Sequence, residues 1–594
     1  MAIINGGKVM YKVKSKIDIS VSILVGVIVI LSVSGFPSDI FGFTRMSAVF
    51  GVSAISLIVG LLLSLTYKSE FRIHKIDIFC WCFLLFYMLD FHHMDALWNI
   101  GALCLLTLFV AIRFLRYISY ITIFKCTLVA LIWLTGWGYL QFFEYIPSYS
   151  IYFSMTGPFH NPAVLAIILS LLLGVALNGF IIFYDYLKKR RMLLVGMALI
   201  VIFSLPLLIL TYARAAYMAL LVSVLYSLYI KFVFIKQKNV RLFYILGIMI
   251  LLPVFIGILY TLKPQSADGR LLVWKISRKM IQDRPVLGFG KGGFAANYLY
   301  YQADYMKSST SLSEKKLAGS THLAFNELLR VAVEHGLMGF FVYLTFVVWA
   351  FLPPPKRDAV SIITKSVIVG IVSWGMFAYP DQVFPVLTLL VIAMACYLNK
   401  ETENERGLSM NRLFQKIMVI GLCCTAPFLG ERLLMKWKAY HGLYTILQFH
   451  SFRDIAAQPD VFIRFKKEMI DDIGFAYFYC QVLRKGHQES EYLYVQHLLE
   501  QRFPSPGLLL MKGDYLKEQE KWKEAEETYI LAAYMVPTLQ TPRAKLAFLY
   551  NEIGRKEEAV AIAHELLTEK VKVYDFTTFY LHRDLNKIFE DELR

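Results

Sequence analysis

Residues 192–234 run MLLVGMALIVIFSLPLLILTYARAAYMALLVSVLYSLYIKFVF. Two apolar blocks, about 192–211 and 215–234, flank a tight turn that carries Arg214. Some 20 residues of helix, rising ~1.5 Å each, cover the ~30 Å hydrocarbon core of a bilayer. No water reaches that core, so each span must satisfy its own backbone N–H and C=O groups, and a helix does so within one segment. The stretch therefore predicts two antiparallel membrane helices joined by a turn.

The same pattern extends outward in both directions. Spans are expected at about 18–36, 46–66, 74–90, 96–112, 119–141, 162–184, 192–211, 215–234, 242–262, 327–352, 359–378, 385–398 and 413–430. The 594 residues are 57% hydrophobic and 18% charged, whereas a soluble protein carries charge on roughly a quarter of its residues. Beyond about residue 432 the blocks stop and charge becomes frequent. The expected fold is all-α: a polytopic membrane helical bundle of about 12–13 spans over 1–431, then a C-terminal helical domain over 432–594.

Orientation follows from the basic residues. Lys8, Lys12, Lys14 and Lys16 favour a cytoplasmic N-terminus. Every second connection is then also cytoplasmic, and each is basic: Lys68, Arg72 and Lys75; Arg113 and Arg116; Lys188 to Arg191; Lys236, Lys238 and Arg241; Lys356 and Arg357; Lys400, Arg406 and Arg412. This arrangement places a long loop, about 263–326, and the C-terminal domain on the outer face. It also accounts for the net charge of +17 without a nucleic-acid partner, and none is expected. Of eight cysteines only Cys480 lies in the tail, and Cys80 and Cys82 sit mid-span with no second pair, so neither a disulfide framework nor a metal site is expected. The first apolar block is long and lacks a small-residue cleavage site, which reads as an uncleaved span.

The tail carries a repeat. Gly513, Ala525, Tyr529, Ala532 and Pro537 match tetratricopeptide (TPR) positions, and Ala559 follows Ala525 by 34 residues, with Glu524 and Glu558 preceding the two alanines. Ala547 stands in the second copy where glycine is expected. About three repeats are needed for stability, so 440–505 is expected to supply degenerate helical units of the same α-solenoid. Such a tail is a surface for a protein partner or a packing platform.

Four polar motifs fall on the outer side. Gly157-Pro158-Phe159-His160-Asn161-Pro162 places Asn161 to cap a helix and Pro162 in its first turn. Arg214 lies at a helix end among small residues, against the orientation trend. Residues 269–290, from Gly269 and Arg270 through Trp274 to Pro285-Val286-Leu287-Gly288-Phe289-Gly290, predict an amphipathic helix lying in the lipid interface, followed by glycines without P-loop spacing; ATP binding is excluded. Thr321-His322-Leu323-Ala324-Phe325-Asn326 leads into Glu334-His335-Gly336, and His322 can titrate near neutrality.

In that order and spacing, these pieces resemble the O-antigen ligase and Wzy polymerase superfamily, which includes bacterial protein O-oligosaccharyltransferases. The resemblance covers about 150–350. Many members have His-Asn where this chain has Phe325-Asn326, which leaves His322 as the candidate for the family's loop histidine. The resemblance implies an inner-membrane enzyme that takes a glycan from undecaprenyl pyrophosphate on the periplasmic face, without metal or other cofactor. The acceptor would be lipid A-core, a glycan chain or a protein, and membrane lipids surround the site. It implies catalytic roles for Arg214, Arg270 and His322, and substrate contacts from His160, Asn161, Trp274, Lys291, Asn326 and Glu334. A lipid or glycan transporter is the alternative from another class; it calls for ionisable residues within spans, and Asp90 and Glu144 are the few acids near the membrane.

Overall fold

The computed structural model describes residues 22–34, 48–56, 58–59, 72–88, 97–114, 119–150, 152–234, 238–402, 408–409, 412–449, 460–571 and 574–589. Lys8, Lys12, Lys14, Lys16, Lys68, Asp90, Arg116, Lys236 and Arg406 lie outside the described residues, as do parts of the first two expected spans. The described chain is helical: α1 Ser22–Val33, α2 48–56, α3 Lys75–Met88, α4 Leu97–Phe114, α5 Tyr120–Phe142, α6 Pro162–Ile182, α7 Tyr184–Lys188, α8 Arg191–Leu210 and α9 Arg214–Leu228. There follow α10 Lys238–Leu262, α11 Pro264–Asp283, α12 Gly293–Ser308, α13 Leu312–Leu317, α14 Glu327–Phe351, α15 Ala359–Gly375, α16 Phe384–Glu401 and α17 Arg412–Phe449. Beyond them lie α18 Asp460–Met469, α19 Ile473–Lys485, α20 Glu489–Arg502, α21 Pro506–Glu518, α22 Trp522–Met535, α23 Gln540–Glu552, α24 Lys556–Thr568 and α25 Phe576–Ile588. The one sheet among the described residues pairs Arg72–Ile73 with Leu408–Ser409.

Seven of the described helices are long and apolar enough to cross a membrane: α5, α6, α8, α9 with its continuation to Val233, α10, α14 and α16. Shorter apolar helices occupy Ser22–Val33, Gly101–Arg113 and Ala359–Gly375. The helix that begins at the last expected span does not stop near 430 but continues as α17 to Phe449.

Two compact units form: 1–256 with 342–449, and 257–341 with 450–594. In the first, α6, α9 and α15 make the centre. Ser170 Oγ donates to Ala216 O at 2.7 Å, and Asn178 Nδ2 donates to Ser223 Oγ at 3.2 Å and Ser366 Oγ at 2.8 Å. A methyl on Gly370 would stand 3.3 Å from Leu171 and 3.5 Å from Ala219 O, so the missing side chain allows close helix approach. These pairs run α6 parallel to α9 and antiparallel to α15.

The alternation expected from charge can be tested by which helix ends meet. Buried Arg113 at the end of α4 donates to Asp77 at 2.6 and 2.8 Å, at the start of α3, and to Asn399 at 2.5 Å, at the end of α16. Lys231 reaches Ile181 O at 2.5 Å, Lys356 reaches Lys400 O at 2.9 Å, and Tyr226 reaches Leu352 O at 3.0 Å. All these ends were expected on one side, and they gather at one end of the bundle.

In the second unit, the loop helices and the tail share a core. Leu272, Ile276, Phe294 and Tyr298 pack in one cluster with Leu509, Met535 and Val536. Buried Gln302 reads both segments, donating to Gly319 O at 3.0 Å and Met535 O at 2.5 Å. This core corrects the expectation for α11: its apolar residues Leu272, Ile276 and Met280 are buried in protein, and its exposed side carries Lys275, Arg278 and Lys279. In the tail, helical hairpins begin at Ile473, Pro506 and Gln540, 33 and 34 residues apart. A methyl on Gly513 would meet Tyr529 at 2.3 Å, and Ala525, Ala547 and Ala559 are fully buried, so small residues set the helix approach.

Candidate functional site

In the first unit, the polar residues of the motifs sit at the end opposite the basic one. Asn161 caps α6, accepting from Ala163 N at 2.8 Å, and its Nδ2 donates to Tyr379 OH at 3.2 Å beyond the end of α15. His160 is exposed; its ring meets Tyr149 edge-on at 5.7 Å, with Nδ1 3.4 Å from Tyr149 O. Arg214 opens α9 after Tyr212, whose φ of 52° lets the chain reverse within a few residues. It is half-buried. Because α6 and α9 run parallel, Asn161 and Arg214 stand at the same end.

The second unit holds the other candidates. Arg270 and Trp274 are one turn apart on α11 and face the loop before α14. The Trp274 indole donates to Ala324 O at 3.0 Å, and the Arg270 guanidinium lies 5.2 Å from the centre of the Phe325 ring. Phe325 has φ of 52°, and the following Asn326 caps α14 through Leu329 N at 3.0 Å. Thus Phe325 stands beside Arg270, and a phenyl ring there cannot take a proton.

His322 is fixed by the tail. Its ring stacks on Phe503 at 3.5 Å and 16°, and Nε2 lies 2.8 Å from Pro504 O. A carbonyl oxygen only accepts, so Nε2 carries the hydrogen and Nδ1 the lone pair. Burial pushes the His322 pKa below its usual 6.5, against a smaller upward pull from the Pro504 carbonyl. The neutral ring can accept a proton.

The glycines after α11 are not a phosphate cradle. Phe289 N donates to Val333 O at 3.0 Å, Gly290 N to Glu334 O at 2.8 Å, and Gly292 N to Glu334 Oε1 at 3.0 Å. Those carbonyls are released because α14 breaks at Gly336, with φ 63° and ψ −163°, and Leu337 N turns instead to Pro285 O at 2.8 Å. A methyl on Gly336 would stand 2.1 Å from Val286 O, and one on Gly288 2.5 Å from Val333 O. Lys291, half-buried, sits between left-handed Gly290 and Gly292. Glu334, predicted to touch substrate, is buried; Arg330 bridges it to Glu327 with Nη2 2.5 Å from Glu327 Oε1. Glu334 thus holds the loop against the helix.

Sequence reasoning missed Arg330, although Glu327, Arg330 and Glu334 recur at i, i+3 and i+7 on one helix face within an apolar block. Phe503 and Pro504 left no signal. Among the described residues no group of three or more His, Cys, Asp or Glu side chains is placed to hold a metal ion.

A multi-pass helical membrane protein with polar helix termini at one end and an arginine-bearing loop unit is the class these features define. Residues 198–344 match the family model described as O-antigen ligase, a stretch that encloses Arg214, Arg270, Trp274, Lys291, His322, Asn326 and Glu334. No curated protein matches the chain.

Proposed function

We propose that this protein is an inner-membrane glycosyltransferase of the O-antigen ligase type, moving a glycan from undecaprenyl pyrophosphate to lipid A-core on the periplasmic face. The N-terminus then lies in the cytoplasm and the tail in the periplasm. The observation that carries the reading is the clustering, inside the O-antigen ligase match, of Arg270 with Phe325, Trp274 with Ala324, and Asn326 at the head of α14.

The chemistry suits those groups. When the acceptor oxygen attacks the anomeric carbon, the bond to the pyrophosphate oxygen breaks and negative charge builds on the leaving group. The planar guanidinium of Arg270 offers that group two parallel donors, which an ammonium cannot, and Lys291 adds charge. His322 Nδ1 takes the acceptor hydroxyl proton. A single displacement inverts the anomeric centre. Arginine neutralises the charge, so no metal is called for. The tail repeats, read as tetratricopeptide-like, offer a surface to a protein partner.

The test is the glycan profile of a deletion strain complemented by wild type, Arg270→Lys or Arg214→Ala. Wild type is expected to restore long glycan on lipopolysaccharide, while each variant, present at normal levels, lowers transfer about 100-fold and lets lipid-linked donor accumulate. Loss from glycoprotein, or from glycan polymer alone, would move the acceptor accordingly. An unchanged profile in the deletion strain would end the transferase reading.

A further inference from the structure

A cavity of about 750 Å³ opens in the first unit between α5, α6, α8, α15 and α16. Leu171, Met197, Val367 and Ala393 line its apolar walls, and Lys125 and Arg190 stand among its lining residues. We propose that it binds an anionic phospholipid of the leaflet at the basic end of the bundle, with the phosphate at Lys125 and Arg190 and an acyl chain along the apolar wall.

Three observations point to that occupant. The first is depth. From Leu171, near the middle of α6, to the end of that helix at Ile182 is ~17 Å at 1.5 Å per residue, about half of a ~30 Å core and so one leaflet. The second is the placement of charge. Lys125 lies in the first turns of α5 and Arg190 immediately precedes α8, both at the end where Arg113, Lys231 and Lys356 gather. A lipid with its headgroup at that end and its chain toward Leu171 meets cation and hydrocarbon in the right order.

The third is availability. Arg113 is committed to Asp77, Lys231 to Ile181 O, Lys356 to Lys400 O, and Lys365 to Trp349 O. Lys125 and Arg190 are exposed, and among the described residues no carboxylate or carbonyl engages either side chain. The Arg190 guanidinium lies over the Tyr186 ring, 4.9 Å from its centre. The site is distinct from the polar end of the same bundle, where Asn161 and Arg214 stand, and does not depend on the transferase reading.

The experiment offers the full-length protein equal amounts of phosphatidylglycerol and phosphatidylcholine in nanodiscs, and native mass spectrometry counts the lipid kept after release. Wild type is expected to retain phosphatidylglycerol at least 5-fold over phosphatidylcholine. Lys125→Ala with Arg190→Ala should erase the preference, and Lys125→Arg with Arg190→Lys should keep it. Ala393→Trp, which fills the cavity, should reduce retention of both lipids. Equal retention by wild type, or a preference that survives the alanine pair, would overturn the proposal. Displacement of phosphatidylglycerol by sub-stoichiometric undecaprenyl phosphate would assign the cavity to the donor lipid instead.

Discussion

In the first unit α6, α9 and α15 are drawn together by a serine, an asparagine and a glycine, whereas the second unit is assembled by aromatic rings and redirected backbone amides. The difference follows the solvent each is built for. Lipid tails are as apolar as leucine, so burying leucine between membrane helices gains little; close approach through small residues and hydroxyl bonds does the work. In water, hiding Phe294, Tyr298 and Met535 is itself the driving force. Polar substitutions should therefore act modestly between the membrane helices, while backbone and charge substitutions should act strongly where the loop meets α14.

The largest expected effect is at Arg330. Arg330→Met leaves Glu327 and Glu334 buried without their shared cation, which costs about 3–5 kcal/mol. Thermal melting of purified protein should register it, and an unshifted melting temperature would show that water reaches the pair. Next comes Gly336→Val, which puts a branched side chain at φ 63° and into Val286 O, for about 3 kcal/mol. Its control is Gly247→Ala in α10, where nothing lies within 4 Å and melting should barely move. Equal responses from the two glycines would remove the loop-to-helix clamp from this account.

A smaller effect, about 1 kcal/mol, is expected for Phe503→Ala, which removes the ring under His322. Its signature is in pH. With the folded pKa of His322 lowered, the stability it contributes is complete above the unfolded value near 6.5 and is lost as pH falls through the folded value. Transfer should fail along the same acid limb, because a protonated ring accepts nothing. Exposing the ring moves that limb up toward 6.5, and a pH–rate profile unchanged by Phe503→Ala would exclude His322 as the base. Smallest is Asn178→Leu, which forfeits two bonds between membrane helices for about 0.6 kcal/mol, measurable as a slight loss of thermal stability. A cost several times larger would erase the contrast between the units.

Much of the membrane unit was legible beforehand. The blocks at 162–184 and 192–211 match α6 and α8 to within two residues, and Asn161-Pro162 announced both cap and first turn. Arg113 meets Asn399 at helix ends that the basic connections would put on one side. The amphipathic pattern of α11 was seen, but periodicity cannot say whether an apolar face meets lipid or protein; Phe294 and Tyr298 settled that. The glycines at 288–292 had the composition of an anion cradle, yet only the break at Gly336 reveals that their amides are already bonded.

From the sequence alone came the apolar blocks, the basic connections between them and the 34-residue spacing of Ala525 and Ala559, because each rests on local periodicity or on charge beside an apolar block. The O-antigen ligase motifs were likewise readable, as short patterns in order. Tertiary structure alone decided that residues 257–341 and 450–594 form one unit, that Phe503 and Pro504 fix the tautomer of His322, and that Glu334 holds backbone. These are contacts between segments far apart in the chain, selected by shape and by the demand that every buried polar group find a partner, and no local pattern encodes them.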